Sequence, residues 1–266
     1  MDSFMFRETP NIDSSGHNQN KAHFSCMRSM MNETWKYAML MQNHDVLIKT
    51  HKELSDILTI FGGVNDVEIT PCNSGRCPSS LETNLGKLGL CAKSLNATQA
   101  AHCQSSNITW SKGSNQAILS FEAVKFMFEE IDINPVMNEL NDMPFGVDEV
   151  MVESLQVTDE IGLPGGFTSR CPMAARQIFR HSIWDGNCKA GWVRHAICVY
   201  GMEDIPMLAS QRRVMANKFI PDFDYTAVSC MAEVLWNRTR GIVDHPIDVK
   251  FYENINFVRY HRERKQ

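Results

Sequence analysis

Nine cysteines in 266 residues constrain this chain more tightly than any periodic pattern in it. They stand at Cys26, Cys72, Cys77, Cys91, Cys103, Cys171, Cys188, Cys198 and Cys230. None makes a Cys-x-x-Cys pair, and Cys72-x4-Cys77 has neither a matched second pair nor a His-x3-His partner, so disulfides fit the spacing better than zinc. Four N-glycosylation sequons accompany them, beginning at Asn32, Asn96, Asn107 and Asn237. Each tripeptide alone is common by chance. Together with abundant cysteine they point to the secretory lumen, where disulfides persist and asparagine is glycosylated. The odd count leaves at least one thiol free or without its partner.

A chain of this length can bury one sizeable core, and a single domain over residues 1–266 is expected. The net charge of −5 and pI near 6.0 carry no electrostatic footprint for nucleic acid. No run of eighteen or more apolar residues occurs, so no membrane span is expected. The opening residues include Asp2, Arg7 and Glu8 and lack the apolar core of a signal peptide.

Along the chain, Phe24, Met27 and Met31 recur at helical spacing, and Trp35–Met41 is an apolar run of strand length. Thr50 and Glu53 form a capping-box signature before Leu54, Ile57, Leu58 and Phe61, and Gly62-Gly63 ends that helix. Residues 64–112 are polar, carry four of the cysteines and two sequons, and read as a cysteine-rich surface insertion held by disulfides. Ala117-Ile-Leu119 reads as a strand, and Ser120 caps a helix with Val124, Met127, Phe128 and Ile131 on one face. Asp148-Glu149 opens another helix. Ala196–Tyr200 is a strand, Asp204 caps a helix reaching about Val214, and Asp224 starts one with Val228, Met231, Ala232 and Leu235 inward. Strands alternating with helices predict an α/β fold.

Candidate chemistry lies in three places. Glu149, beside Asp148 after a Pro/Gly loop, can take a proton from a hydroxyl; an acid there is more commonly a cap that offsets the helix dipole. Arg194 and Lys218 could together bind a diphosphate, or could simply be solvated. Trp184 could stack on a sugar, although burial is the more frequent fate of tryptophan. Cys188 and Cys198 bracket a short turn into a strand, where a disulfide would hold Arg194 on a stiff hairpin. Neither glycine pair, Gly62-Gly63 nor Gly165-Gly166, matches a phosphate loop.

Taken in order, the segments resemble the core-2/I-branching β-1,6-N-acetylglucosaminyltransferase family from Ser14 to Arg240. Cys26-Met-Arg, Trp35-Lys-Tyr and Ile48-Lys-Thr are similar to its Cys-Met-Lys, Trp-Lys-Tyr and Ile-Lys-Thr block. Gly113-Ser114 through Ile118-Leu-Ser-Phe-Glu122 resembles its Gly-Ser-x-x-Phe-Val-Val-Ser-Arg-Glu segment. Gly146-Val-Asp-Glu149 falls at its Ser-Pro-Asp-Glu. The most specific block runs from Cys188 through Val193-Arg194, Cys198-Val-Tyr-Gly201 and Asp204 to Ala216-Asn-Lys-Phe219.

The resemblance implies an N-terminally truncated, GT-A-like α/β fold and inverting transfer of N-acetylglucosamine from UDP-GlcNAc to a glycan hydroxyl. It implies Glu149 as catalytic base and Arg194 and Lys218 at the UDP diphosphate, with no metal or other cofactor. It also implies Glu68, in Asn65-Asp-Val-Glu68, and Trp184 at the acceptor, and a Golgi location. The partners are then a nucleotide-sugar donor and a glycan acceptor. The family's anchor and the first half of its nucleotide-binding sheet are expected to precede this sequence. Membrane association would come through that anchor, and the family partner of Cys230 would lie there too. Residues 72–103 replace the family's basic acceptor-binding segment. A peptide O-xylosyltransferase-like enzyme and an inactive glycan-binding protein or truncated gene product are the alternatives.

Overall fold

The computed structural model describes residues 11–72, 77, 80–167, 177–184 and 186–265. Helices cover Gln19–Ser29 (α1), His51–Phe61 (α2), Ala97–Ser105 (α3), Phe121–Glu129 (α4), Asn134–Asn141 (α5) and Met151–Val157 (α6), then Ile205–Ala209 (α7), Tyr225–Thr239 (α8), Val249–Glu253 (α9) and Asn256–Lys265 (α10). Strands cover Tyr37–Met39 (β1), Val46–Leu47 (β2), Asp66–Val67 (β3), Thr70–Pro71 (β4) and Ser111–Lys112 (β5), then Ala117–Ser120 (β6), Arg180–His181 (β7), Trp192–Arg194 (β8), Ile197–Val199 (β9) and Met215–Ala216 (β10). The fold is mixed α/β. It divides into two compact units, Met1–Leu40 with Gly63–Arg176, and Met41–Gly62 with Gln177–Gln266.

In the first unit, β6 lies between β1 and β3, antiparallel to both, with Leu119 opposite Ala38 and Ile118 opposite Asp66. Every residue of β6 is buried, which is why its sequence is an unbroken apolar run closed by a serine. That serine, Ser120, ends the strand and caps α4, its hydroxyl accepting the Ala123 N–H. Val124 and Met127 then face inward, as their spacing predicts. Phe24 of α1 meets Phe128 of α4 edge to face at 5.8 Å, and Trp35, beyond α1, meets Phe121 at 4.8 Å.

The described residues of 64–112 include buried apolar positions. Val64, Asn65, Asp66 and Val67 are buried at the sheet, and Leu85, Leu88 and Leu90 are fully buried. Disulfides join Cys72 to Cys77 and Cys91 to Cys103. Asn96 and Gln99 close a capping box on α3, a signature weaker in sequence than Ser/Thr with Glu. A small core built around a disulfide needs few apolar residues, so no sustained periodicity announces it.

In the second unit, β10 pairs antiparallel with β2 and parallel with β7. Ile48, Cys198, Tyr200, Leu208, Phe219 and Met231 form its core. The capping box of α2 is complete: the Thr50 hydroxyl accepts the Glu53 N–H at 3.2 Å, and the Glu53 carboxylate accepts the Thr50 N–H at 2.7 Å. The same buried carboxylate meets His245 at 2.7 Å and Arg238 at 3.6 Å.

Three sequence expectations change here. The helix after Asp204 stops at Ala209, because the backbone at Val214 and Met215 instead bonds the carbonyl of Phe179 beside β7. On α8, Ala227 and Met231 are buried while Ala232 is exposed, a narrower inward stripe than the pattern suggests. Helices α9 and α10 were not anticipated; Phe257 of α10 packs on Phe61 of α2 at 5.6 Å, a contact no local pattern encodes.

Replacing Thr50 by alanine removes the acceptor for the Glu53 N–H while leaving the rest of α2 intact. The expected loss is about 1 kcal/mol in urea unfolding, and Thr50→Ser should recover most of it.

Candidate functional site

The acidic site lies in the first unit. Gly146, at φ 70°, turns the chain ahead of α6, and its N–H bonds Ser15 O at 2.8 Å. Asp148 and Glu149 sit in this turn and not on the helix. The N-cap is Val150, with no side-chain cap bond, so neither acid caps α6. Asp148 is buried and accepts a hydrogen bond from the Asn115 amide. Burial raises its proton affinity, against the Asn115 bond and helped by the neighbouring Glu149 charge. Glu149 is half-buried, and its Oε2 lies 2.6 Å from Lys112 Nζ on β5.

Gly113 makes this arrangement possible. Its N–H donates to Glu149 O at 2.9 Å. A Cβ there would lie 2.0 Å from Glu68 O and 2.8 Å from Glu153 Cγ, so no larger residue fits between these strands of backbone. Glu153, on the first turn of α6, is fully buried, and among the described residues neither carboxyl oxygen has a hydrogen-bond partner. Burial drives it well above the usual carboxylate range, and the charges of Asp148, Glu149 and Glu68 push in the same direction. An oriented carboxylate at Glu149, backed by this cluster, can accept a proton from an approaching hydroxyl.

The basic site lies in the second unit. Strands β8 and β9 form a hairpin whose turn residues, His195 and Ala196, both have positive φ, 52° and 62°. Side chains strain such a turn, and the Cys188–Cys198 disulfide helps hold the hairpin that contains it. Trp184 pairs with Ile197, which pairs in turn with Arg194. One cross-strand row therefore puts Trp184 and Arg194 on the same face, roughly 10 Å apart as two strand spacings. Trp184 is 57% exposed and is not a core residue. Lys218 Nζ donates to Arg194 O at 3.4 Å. Burial lowers the Lys218 proton affinity, and the Arg180 and Arg194 charges lower it further. Neither Arg194 nor Lys218 forms an ion pair among the described residues, whereas Arg180 faces the buried Asp45 at 3.5 Å. The Asp45 charge acts on Lys218 in the opposite sense but pairs with Arg180, and two adjacent cations left without an ion pair of their own among the described residues suit an anionic ligand.

The structure thus gathers Arg194, Lys218 and Trp184 in one unit, and Glu149 and Glu68 in the other. Lys112, Asn115 and Glu153 escape sequence reasoning. The one available signal was an acid, Glu153, inside an otherwise apolar helical turn. Contrary to the expectation that no Asp-x-Asp occurs, the chain carries one, Asp222-Phe-Asp224. Its Asp224 carboxylate is committed to the N–H groups of Met202 at 2.8 Å and Ala227 at 3.1 Å, the latter as the cap of α8. Of the sequon asparagines, Asn32, Asn96 and Asn107 are exposed, while Asn237 is half-buried within α8. Among the described residues Cys26 and Cys230 are free thiols, and Cys171 lies outside those residues.

Comparison with known proteins gives a consistent picture. The profile of the core-2/I-branching enzyme family matches residues 2–209. A human protein named "Probable beta-1,3-galactosyl-O-glycosyl-glycoprotein beta-1,6-N-acetylglucosaminyltransferase 7" is 25% identical over 236 residues, covering 86% of this chain and 54% of that protein. A bovine beta-1,3-galactosyl-O-glycosyl-glycoprotein beta-1,6-N-acetylglucosaminyltransferase is 25% identical over 232 residues, 81% of this chain and 52% of its own length. The human protein of that name is 25% identical over 242 residues, 85% and 55% respectively. The chain spans about half the length of these curated relatives.

The buried Glu153 carboxyl has a measurable consequence. Below the unfolded carboxylate range, near pH 4, it is neutral in both states and costs nothing differential. As pH rises, the unfolded chain ionises and gains hydration that the folded state cannot match, so the folded state loses stability towards its own higher pKa. Glu153→Gln should therefore raise the melting temperature at pH 7 by at least about 2 °C, with the gain fading near pH 4. Calorimetry across that range checks the sign.

Proposed function

This chain belongs to the core-2/I-branching enzyme family, and from that premise we propose that it carries catalytic machinery, in a GT-A-like fold, for transferring N-acetylglucosamine from UDP-GlcNAc to a glycan hydroxyl in β-1,6 linkage. The observation that carries the reading is the approach of Lys218 to Arg194, the latter on a hairpin closed by a disulfide, with neither cation in an ion pair among the described residues. A diphosphate leaving group develops negative charge as the sugar departs. Fixed cations already in place stabilise that charge without reorganising, so the proposed reaction proceeds without a metal.

Glu149 takes the proton of the attacking hydroxyl, with Lys112 orienting its carboxylate. Attack from the face opposite the nucleotide inverts the anomeric carbon. A base of this kind contributes ~10²–10⁴ in rate. Glu68 and Trp184 contact the acceptor in this reading. Exposed sequons and disulfides support passage through the secretory lumen, with the Golgi as the proposed site of action. No helix among the described residues is long and apolar enough to cross a membrane.

Two sets of variants test the roles. Arg194→Ala and Lys218→Ala should each weaken UDP binding by roughly ten- to a hundredfold, as loss of one charge-assisted contact predicts; unchanged affinity in both would make the pair solvated surface.

In active enzyme, Glu149→Gln should abolish most transfer while UDP affinity and melting temperature stay close to wild type. Turnover measured with UDP-GlcNAc and UDP-xylose in parallel fixes the donor, and near-normal transfer by Glu149→Gln would remove Glu149 from the mechanism.

A further inference from the structure

The hairpin face that carries Arg194 also carries an aromatic surface with no role in the reading above. Trp192 stands two residues before Arg194 on β8. In a strand, residues two apart leave on the same side, about 7 Å from each other. Trp192 pairs with Val199, one row along from the Trp184–Ile197–Arg194 row, so all three side chains share one face. The indole stacks on Phe223, with ring centroids 4.6 Å apart and planes inclined by 30°. Both rings are 39% exposed. Rings of this size usually recover their apolar area by burial; these two cover one another and still present a face to water.

That face is held in place from both sides. The Cys188–Cys198 disulfide closes the Trp192 hairpin, and the Lys189 N–H bonds the buried Asp204 carboxylate at 3.3 Å. Phe223 donates its N–H to Ile220 O at 2.9 Å, and the adjacent Asp224 is anchored by two backbone N–H groups. A ligand meeting these rings has little side-chain freedom left to freeze.

We propose that Trp192 and Phe223 form a stacking platform for a pyranose ring of the glycan acceptor. The chemistry matches an amphipathic ring: its C–H face packs on the aromatic plane while its hydroxyls reach outward to water and polar groups. A protein partner fits less well, because the cores of protein interfaces are depleted of charge and this face carries a cation two residues along the strand from Trp192. The occupant's identity as the acceptor rests on the glycosyltransferase reading; the platform's geometry does not.

Binding of β-D-galactosyl-1,3-N-acetylgalactosaminyl-threonine to the full chain tests the proposal, by titration and by saturation-transfer NMR, with UDP titrated separately. Trp192→Ala should weaken glycoside binding about tenfold, the loss expected for one stacking contact. Trp192→Phe should retain most of the affinity, Phe223→Leu should lose part of it, and UDP affinity should stay unchanged in all three. Should Trp192→Ala fail to fold, the other two variants still decide. Unchanged glycoside affinity in folded Trp192→Ala and Phe223→Leu overturns the proposal. So does a fall in UDP affinity instead, which would mean that a nucleobase stacks there. If wild-type chain binds UDP through Arg194 but no glycoside, the platform fails while the proposed function stands. If it binds neither, both fall.

Discussion

The close approach at Gly113 is the constraint on which the acidic site depends. Backbone from Glu68 and Glu149 and the Glu153 side chain converge on one residue that has no side chain, and its N–H fixes the Glu149 carbonyl at 2.9 Å. A methyl group there would push apart the segments that bear Glu68, Glu149 and Glu153. The convergence also has a cost, because it buries the Glu153 carboxyl with neither oxygen hydrogen-bonded among the described residues. Burial, with neighbouring negative charge, raises the proton affinity of Asp148 and Glu153. The stability of the first unit and the chemistry of its acids are thus set by the same packing.

The basic site follows a different design. Its cations are exposed or half-buried, and its precision comes from covalent and backbone restraint. A two-residue turn with both residues at positive φ is strained for His195 and Ala196, and the disulfide beside it limits relaxation. Arg194 then projects from a short, stiff strand with Trp184 in its row and Trp192 on its flank. Burial lowers the proton affinity of Lys218, and repulsion from Arg180 and Arg194 adds to it against the Asp45 charge. An anion bound between them would relieve that repulsion.

Local signals were read well where a side chain acts on its own backbone. The Thr50–Glu53 capping box, the Ser120 cap and the Asp224 cap all form as the sequence predicts, because each needs only three or four consecutive residues. The reading failed where distant backbone competes. Residues after Ala209 carry helix-compatible side chains, but the pairing of β10 with β7 and β2 claims them for a sheet. Glu149 looked most like a cap because acidic first turns are common. Only the position of the Gly146 turn shows that α6 begins two residues later.

By itself, the amino-acid sequence determined the class of the chain: mixed α/β, rich in disulfides, with ordered motifs that resemble one enzyme family. It also singled out Glu149, Arg194, Lys218 and Trp184, since those residue types carry recognisable chemistry. Tertiary structure alone decided their company. Lys112 beside Glu149, Glu153 beneath it, and the shared face of Trp184, Arg194 and Trp192 come from segments up to tens of residues apart, joined by sheet register and by a glycine-sized gap. Register and close approach are properties of paired backbones, and no single segment encodes them.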